Sequence, residues 1–323
     1  MNDFWKKKKV LVTGGYGFIG QHLTKKLLNR GVNTSNLVFF HKNDYDLRKE
    51  SAVEDLFKKL GQIDLVIHLA GNVGGIGFNR VNPGKVFYDN IMMNTLVMEY
   101  ARRNYVEKFV GVGSVCSYPK FAPIPFQEKD LWDGYPEETN ASYGLAKKMI
   151  LVQGQAYREQ YGFNAIHLLL VNVYGPGDNF DLDSSHVIAG LIRKFVDAVW
   201  DDKKEVVVWG TGTPSREFIY VEDAAEGILL ATGRYNKPEP VNLGAGFEIS
   251  IKDLVELIVK LTGFKGRVTW DTSKPDGQPR RMLDTSRAEK EFGFKATISF
   301  EEGLKKTNEW YRDKKWNSRP IFP

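Results

Sequence analysis

The chain has 323 residues, 42% hydrophobic and 26% charged, with a formal net charge of +5. That length suits one large domain with a smaller one, the mild positive balance suits an anionic small substrate better than a nucleic acid, and no apolar run approaches the roughly 20 residues of a membrane span. One cysteine, Cys116, excludes an intrachain disulfide framework.

The N-terminus, MNDFWKKKKV, lacks the apolar core of a signal peptide, so a soluble cytoplasmic protein is expected. Lys6 to Lys9 reads as a solvated leader to the first strand. Residues 9–13 (KVLVT) form a β-branched run that predicts a buried parallel strand. A helix follows over 18–29, with Phe18, Ile19, Leu23, Leu27 and Leu28 on its buried face and Gly31 closing it. Strands are predicted at 37–40, 64–69, 108–112 and 165–171, and helices at 51–60, 86–104 and 142–160. This alternation predicts an α/β fold, a doubly wound parallel Rossmann-type sheet with helices on both faces. Beyond 172 the regularity loosens into a helix at 186–200, a strand at 206–209 and Gly/Pro-rich joints. The expected division is a dinucleotide-binding domain over 1–172, with about 210–246 returning to it. A smaller C-terminal α/β substrate lobe takes about 173–209 and 247–323.

The first strand runs into Gly14-Gly15-Tyr16-Gly17-Phe18-Ile19-Gly20. Glycines at Gly14, Gly17 and Gly20 let the backbone turn sharply and approach a pyrophosphate seated on the N–H groups of Phe18 and Ile19 at the helix start. A strand before it and an amphipathic helix after it make this loop a dinucleotide site. NAD enzymes place an acid at the end of the second strand, to hold the ribose 2′-hydroxyl. Here Phe40-His41-Lys42 stands there instead, and the Lys42 cation suits a 2′-phosphate, favouring NADP(H); Asp44 nearby keeps NAD open.

Ser114 follows the fourth strand, and Tyr143 and Lys147 sit four apart on one face of the next helix. A ketone accepting hydride needs a proton on its oxygen. Tyrosine, with an ordinary pKa of about 10, serves near neutrality when a cation stabilises its phenolate. Lys147 supplies that cation and Ser114 a hydroxyl for the carbonyl oxygen. The sequence contains no metal-ligating pattern.

With the glycine loop, this triad resembles the extended short-chain dehydrogenases/reductases. Longer stretches resemble the GDP-L-fucose synthase family within them: Ser114-Val115-Cys116-Ser117-Tyr118-Pro119-Lys120, Asp178-Asn179-Phe180, Ser185-His186-Val187-Ile188, Arg216-Glu217-Phe218 and residues 271–277 (DTSKPDG). The resemblance implies an NADPH-dependent epimerase-reductase that inverts C3 and C5 of GDP-4-keto-6-deoxy-D-mannose and then reduces C4. It assigns the inversions to Cys116 and His186. It assigns the substrate diphosphate to Lys194, Arg216 and Arg281, the nucleotide and sugar subsites to Trp209 and Asn172, the border of the adenine to Asp46 and Leu47, and the dinucleotide-side turn after the third strand to Leu69 and Ala70. It also implies a homodimer formed through 86–104 and 142–160, with neither nucleic acid nor membrane as partner. Within the same class the alternatives are a reductase or 5-epimerase/reductase of a GDP-4-keto-6-deoxy-heptose or of the GDP-L-colitose precursor. An NAD-retaining epimerase or dehydratase is disfavoured, since Ser114 is followed by Val115 and Cys116 rather than an acidic pair. A non-catalytic NADP-sensing protein is disfavoured by the presence of both Tyr143 and Lys147.

Overall fold

The computed structural model describes residues 2–274 and 276–317; Pro275, inside the DTSKPDG stretch, lies outside them. In chain order the first half comprises α1 (Asn2–Lys6), β1 (Val10–Thr13), α2 (Phe18–Asn29), β2 (Leu37–Val38), α3 (Glu50–Leu60), β3 (Leu65–His68), α4 (Ile76–Val81), α5 (Pro83–Arg103), β4 (Lys108–Ser114), α6 (Ala141–Tyr161) and β5 (Ala165–Leu170). Then come β6 (Asn172–Tyr174), α7 (Val187–Trp200), β7 (Glu205–Trp209), β8 (Ser215–Tyr220), α8 (Val221–Arg234), β9 (Val241–Leu243) and β10 (Glu248–Ser250). The chain closes with α9 (Ile251–Thr262), β11 (Arg267–Asp271), β12 (Arg280–Arg281), α10 (Ser286–Phe292) and α11 (Phe300–Asn317).

Six strands pair in parallel in the order β2-β1-β3-β4-β5-β9. Helices cover both faces, so β1, β3 and β5 are buried throughout and read as continuous rather than alternating apolar runs. Connections leave β1 toward β2 on one side and β3 toward β4 on the other. The carboxyl ends of β1 and β3 therefore open a crevice at this switch point. A second sheet lies beside the first: β8 pairs antiparallel with β10 and parallel with β12 and β6, while β7 and β11 form a separate parallel pair. Phe195, Leu254, Ile258 and Phe264 pack a core beneath these strands. Of the span 210–246, α8 packs on α2 and β9 joins the large sheet, whereas β8 belongs to the second.

Three local expectations change. The lysine run does not lead freely into β1: α1 precedes it, Trp5 is buried in the main core, and Lys9 Nζ donates to the Leu60 carbonyl at 2.5 Å. Strand β2 stops at Val38, because Phe39 packs against the main core and Phe40 turns to line the crevice. On α2, Gly20, Leu23 and Leu27 are buried, but Leu28 is exposed, since one further residue rotates the side chain about 100° away from the sheet. No helix among the described residues is long and apolar enough to cross a membrane.

Candidate active site

Between the two sheets runs one cleft of about 1880 Å³, lined by every residue assigned above to catalysis, cofactor or substrate, but not by Asp44, the acid that kept NAD open. A single small-molecule site occupies about 300–1,000 Å³, so this volume suits two ligands end to end.

The cofactor end is built from backbone. Gly14 has φ +72°, and a Cβ there would stand 3.0 Å from the Ala70 amide nitrogen, so the β1 loop lies directly on the turn after β3. At Gly20 a Cβ would overlap Gly14 and Gly15, which packs the loop onto the first turn of α2. Gly17 caps that helix without any side-chain hydrogen bond, leaving the first N–H groups open toward the crevice. A dinucleotide's pyrophosphate fits this cradle. Farther along the crevice, where the sequence led us to expect the adenine, Asp46 is held well below the usual carboxylate range, to about 2, by the Arg48 guanidinium. Arg48 grips it at 2.8 and 2.9 Å and reaches the Asp89 carboxylate on α5 at 3.1 Å. Lys85 and Asn72 complete this clamp on Asp89. Lys42 is exposed at the rim.

The centre holds Ser114, Cys116, Tyr143 and Lys147. The first two lie at the end of β4 and in the tight turn after it, where Ser114 Oγ accepts from the Cys116 amide at 3.2 Å. That turn meets the first turn of α6 because residue 144 is glycine: a Cβ there would overlap the Cys116 carbonyl oxygen. Lys147 is buried, donates to the Val112 carbonyl at 3.2 Å, and is pushed down to about 8 by burial. Burial pushes the Tyr143 phenol up, while a hydrogen bond with Ser114 acts in the opposite direction. Beneath Lys147, burial and then its charge push His68 and His167 down to about 3, so both are neutral. His68 is wired in: Asn94 Nδ2 donates to the Ala146 carbonyl at 3.1 Å, so its Oδ1 accepts from His68 Nε2 at 3.0 Å. His68 Nδ1 then accepts from the Thr13 hydroxyl at 2.7 Å. The network ties β1 and β3 to the helix carrying Tyr143 and Lys147.

The far end is built from side chains. His186 caps α7, half-buried, with burial pushing its imidazole toward the neutral form. Lys194, two turns on, donates to the Val207 carbonyl at 3.1 Å and lies 5.3 Å above the Trp209 ring, which Lys274 also approaches at 5.5 Å. Arg216 and Arg281 are register neighbours across β8 and β12, and both are buried. Arg216 donates to the Ser215 and Asp276 carbonyls, and burial, then the charge of Arg281, lowers it to about 10. Neither guanidinium has a carboxylate partner among the described residues, which makes this end a site for an anion. Arg281, expected on a diphosphate, also donates from Nη1 to Cys116 Sγ at 3.3 Å. Asn172 Nδ2 donates to the Glu217 carbonyl at 3.0 Å.

Four groups escaped the sequence reading. Arg48 and Asp89 form the ion-paired clamp on Asp46, and the buried face of α5 held the signal, since Asp89, Asn90 and Asn94 interrupt Val86, Val97 and Met98. Asp178 is buried in the cleft wall with Oδ2 unpartnered, and burial raises it to about 7. Glu217 is fully buried and accepts from the Ala245, Gly246 and Leu283 amides at 2.6–2.7 Å, pinning β8 to the strands beside it.

Comparison with known proteins agrees with this geometry. Residues 10–244 match the NAD dependent epimerase/dehydratase family. The chain is 41% identical over 308 residues to Probable GDP-L-fucose synthase 1 of Oryza sativa subsp. japonica, covering 95% of this chain and 92% of that one. It is 39% identical over 306 residues to GDP-L-fucose synthase 1 of Arabidopsis thaliana, covering 95% and 94%. Among solved structures, a GDP-6-OMe-4-keto-L-xylo-heptose reductase from C. jejuni superposes with TM-score 0.89 at 30% identity, over 96% of this chain and 99% of that one. A GDP-L-fucose synthetase from Naegleria fowleri bound to NADP gives 0.85 at 29% identity, over 98% and 97%.

Proposed function

The chain belongs to the GDP-L-fucose synthases within the NAD dependent epimerase/dehydratase family, and on that premise we propose that it converts GDP-4-keto-6-deoxy-D-mannose to GDP-L-fucose. It is an NADP-dependent oxidoreductase with epimerase activity, and NADPH supplies the hydride that reduces C4. The reading is carried by one observation: Cys116 and His186 line the same cleft as Ser114 and Tyr143.

A C4 ketone acidifies the C–H bonds at C3 and C5. Cys116, from the large sheet, and His186, from α7, exchange a proton with each carbon from opposite walls, one taking and the other returning it. The electron pair rests meanwhile on the C4 oxygen, held by the Ser114 hydroxyl and the Tyr143 phenol. In the reduction Tyr143 gives its proton to that oxygen, and the buried Lys147 ammonium stabilises the phenolate left behind. Arg216, Arg281 and Lys194 hold the diphosphate, and Trp209 offers a face to the nucleotide. The phosphate cradle Gly14, Gly17, Phe18, Ile19 and Gly20 holds the cofactor, with Leu69 and Ala70 in the turn beside the cradle, Asp46 and Leu47 along its adenine side and Lys42 on its 2′-phosphate.

Product NMR after incubating GDP-4-keto-6-deoxy-D-mannose with NADPH in D₂O tests this. Solvent deuterium at both C3 and C5 of a fucose product is expected, and Cys116→Ala loses it while keeping NADPH affinity. Parent-rate wash-in by Cys116→Ala removes the cysteine from the reaction. The likeness to the C. jejuni heptose reductase favours a second reading, C4 reduction of a GDP-linked 4-keto heptose without inversion, which a product unlabelled at both carbons selects. The assembly belongs to the proposal as a homodimer through α5 and α6, which pack together and expose Phe87, Tyr88 and Val152; sedimentation tests it. A free Cys116 thiol suits the reducing cytoplasm as its location.

A further inference from the structure

Among the described residues, two buried side-chain atoms of the cleft wall have no hydrogen-bond partner: Asp178 Oδ2 and Asn79 Oδ1. Asn79 stands on α4 and is only 5% exposed. A buried acceptor left without a donor is costly, and in a cleft wall it marks a place where a ligand supplies the missing hydrogen.

Three residues in series decide which end of this amide is free. Glu137, also buried, accepts from the Thr139 amide at 3.2 Å, the Thr139 hydroxyl at 2.5 Å and Asn140 Nδ2 at 3.0 Å. A carboxylate only accepts, so Asn140 turns its nitrogen to Glu137 and its oxygen away. That oxygen takes Asn79 Nδ2 at 3.0 Å, and the carbonyl of Asn79 is the end left over.

Helix α4 touches each wall of the substrate end. Its capping residue Gly75 donates to the Ser184 carbonyl at 3.1 Å, two residues before His186. A Cβ on Gly277 would stand 3.1 Å from Ile76 Cδ1 and 3.4 Å from Arg216 Nη2, so the helix abuts that guanidinium. Asn79 meets Asn140, which caps α6 three residues before Tyr143. Its carbonyl therefore lies in the wall between the arginine assigned above to the diphosphate and the phenol assigned to the C4 oxygen.

We propose that Asn79 is a specificity-determining residue, whose carbonyl oxygen accepts a hydrogen bond from a sugar hydroxyl on the C2–C3 edge of the substrate ring. The inference rests on the GDP-sugar reading above. In that substrate C1 carries the diphosphate and C4 the ketone, and two edges of the ring join them. The edge through C5 and the ring oxygen of a 6-deoxy sugar offers no donor, whereas the edge through C2 and C3 offers two hydroxyls. An acceptor held between Arg216 and Tyr143 finds its donor only there. A sugar without that hydroxyl leaves the carbonyl buried and unpaired, which is how a polar site rejects an analogue.

Calorimetry on the NADP⁺-bound protein tests this with GDP-D-mannose, which keeps the substrate's hydroxyls at C2 and C3. Asn79→Leu, similar in size and without an acceptor, is expected to bind it roughly tenfold more weakly, with GDP and NADP⁺ affinities within about twofold of the parent. Removing one hydroxyl, in the 2-deoxy or the 3-deoxy analogue, costs the parent a similar factor and Asn79→Leu less than about twofold; the analogue that behaves so identifies the hydroxyl. Equal losses in parent and variant for both analogues overturn the proposal. So does weakened NADP⁺ binding with the sugar preference intact, which would put the acceptor on the cofactor. Should Asn79→Leu not fold, Asn79→Ser withdraws the carbonyl with a smaller polar side chain and is held to the same outcomes. Analogue binding that depends on Asn79, without NADPH oxidation on GDP-4-keto-6-deoxy-D-mannose, keeps this contact and removes the epimerase-reductase reading; turnover with binding indifferent to Asn79 does the reverse.

Discussion

The two ends of the cleft are made by different means. At one end the lining is backbone: a glycine loop and an uncapped helix start, held within seven consecutive residues from the end of β1 into the first turn of α2. At the other end the lining is side chain: His186, Lys194, Trp209, Arg216 and Arg281 arrive from four elements and a helix cap, on strands as short as two residues. A backbone cradle tolerates no added atoms but survives most side-chain changes elsewhere. A side-chain site is the reverse, since each charge can be removed singly and the fold remains. The glycine end is thus rigid and general, and under the proposed function the side-chain end is where selectivity for one sugar would be built.

Four substitutions sharpen or break that contrast. Between the two ends, Tyr143→Phe removes the phenol proposed above as the proton donor. A loss of about 10³-fold in the rate of NADPH oxidation is expected, with the affinity for NADPH and for GDP within about twofold of the parent. Retained reduction would mean that another acid serves O4. Gly20→Val places atoms where Gly14 and Gly15 already stand. NADPH binding by calorimetry is expected to weaken at least about a hundredfold while GDP binding holds; a parallel loss of GDP binding would show that the ends are not separable.

Arg216→Met does the converse. It deletes a buried charge that has only carbonyl partners, so GDP affinity is expected to fall about tenfold to a hundredfold with NADPH affinity unchanged. The smallest effect concerns Asp178, in the wall between the ends. Its folded pKa, about 7, lies above the ordinary 3.8, so the native state binds the proton more tightly than the unfolded state does. Stability from that proton is present below about pH 4 and is lost as pH rises through 7. Relative to the parent, Asp178→Asn should therefore gain about 2–4 kcal/mol between pH 4 and pH 8, read by denaturant titration at each pH. A difference independent of pH would mean that the carboxyl is solvated in solution.

Much of this site was legible before any coordinates. Gly14, Gly17 and Gly20 announce a phosphate loop because the φ values and close approaches they permit are local. Tyr143 and Lys147 announce a shared face because a helix repeats every 3.6 residues. The two sheets were less evenly legible. β1, β3 and β5 of the large sheet are continuous apolar runs, whereas β9, β10 and β12 span only two or three residues and leave no periodic trace. Asp178 and Glu217 stood in the sequence only within longer stretches, with no role of their own, and it is chiefly burial in the folded chain that raises each to about 7.

From its sequence alone, the chain determined a doubly wound sheet, a dinucleotide loop and a tyrosine–lysine pair, each written within one element or one turn. Tertiary structure alone decided that Arg48 clamps Asp46 to an aspartate 41 residues away on α5, and that Gly144 admits the Cys116 turn against α6. It also decided that Arg281 reaches the sulfur of Cys116 across 165 residues. The reason is range. Dihedral freedom and helical period act between neighbours, while a contact between distant side chains exists only after the whole core has packed and placed both.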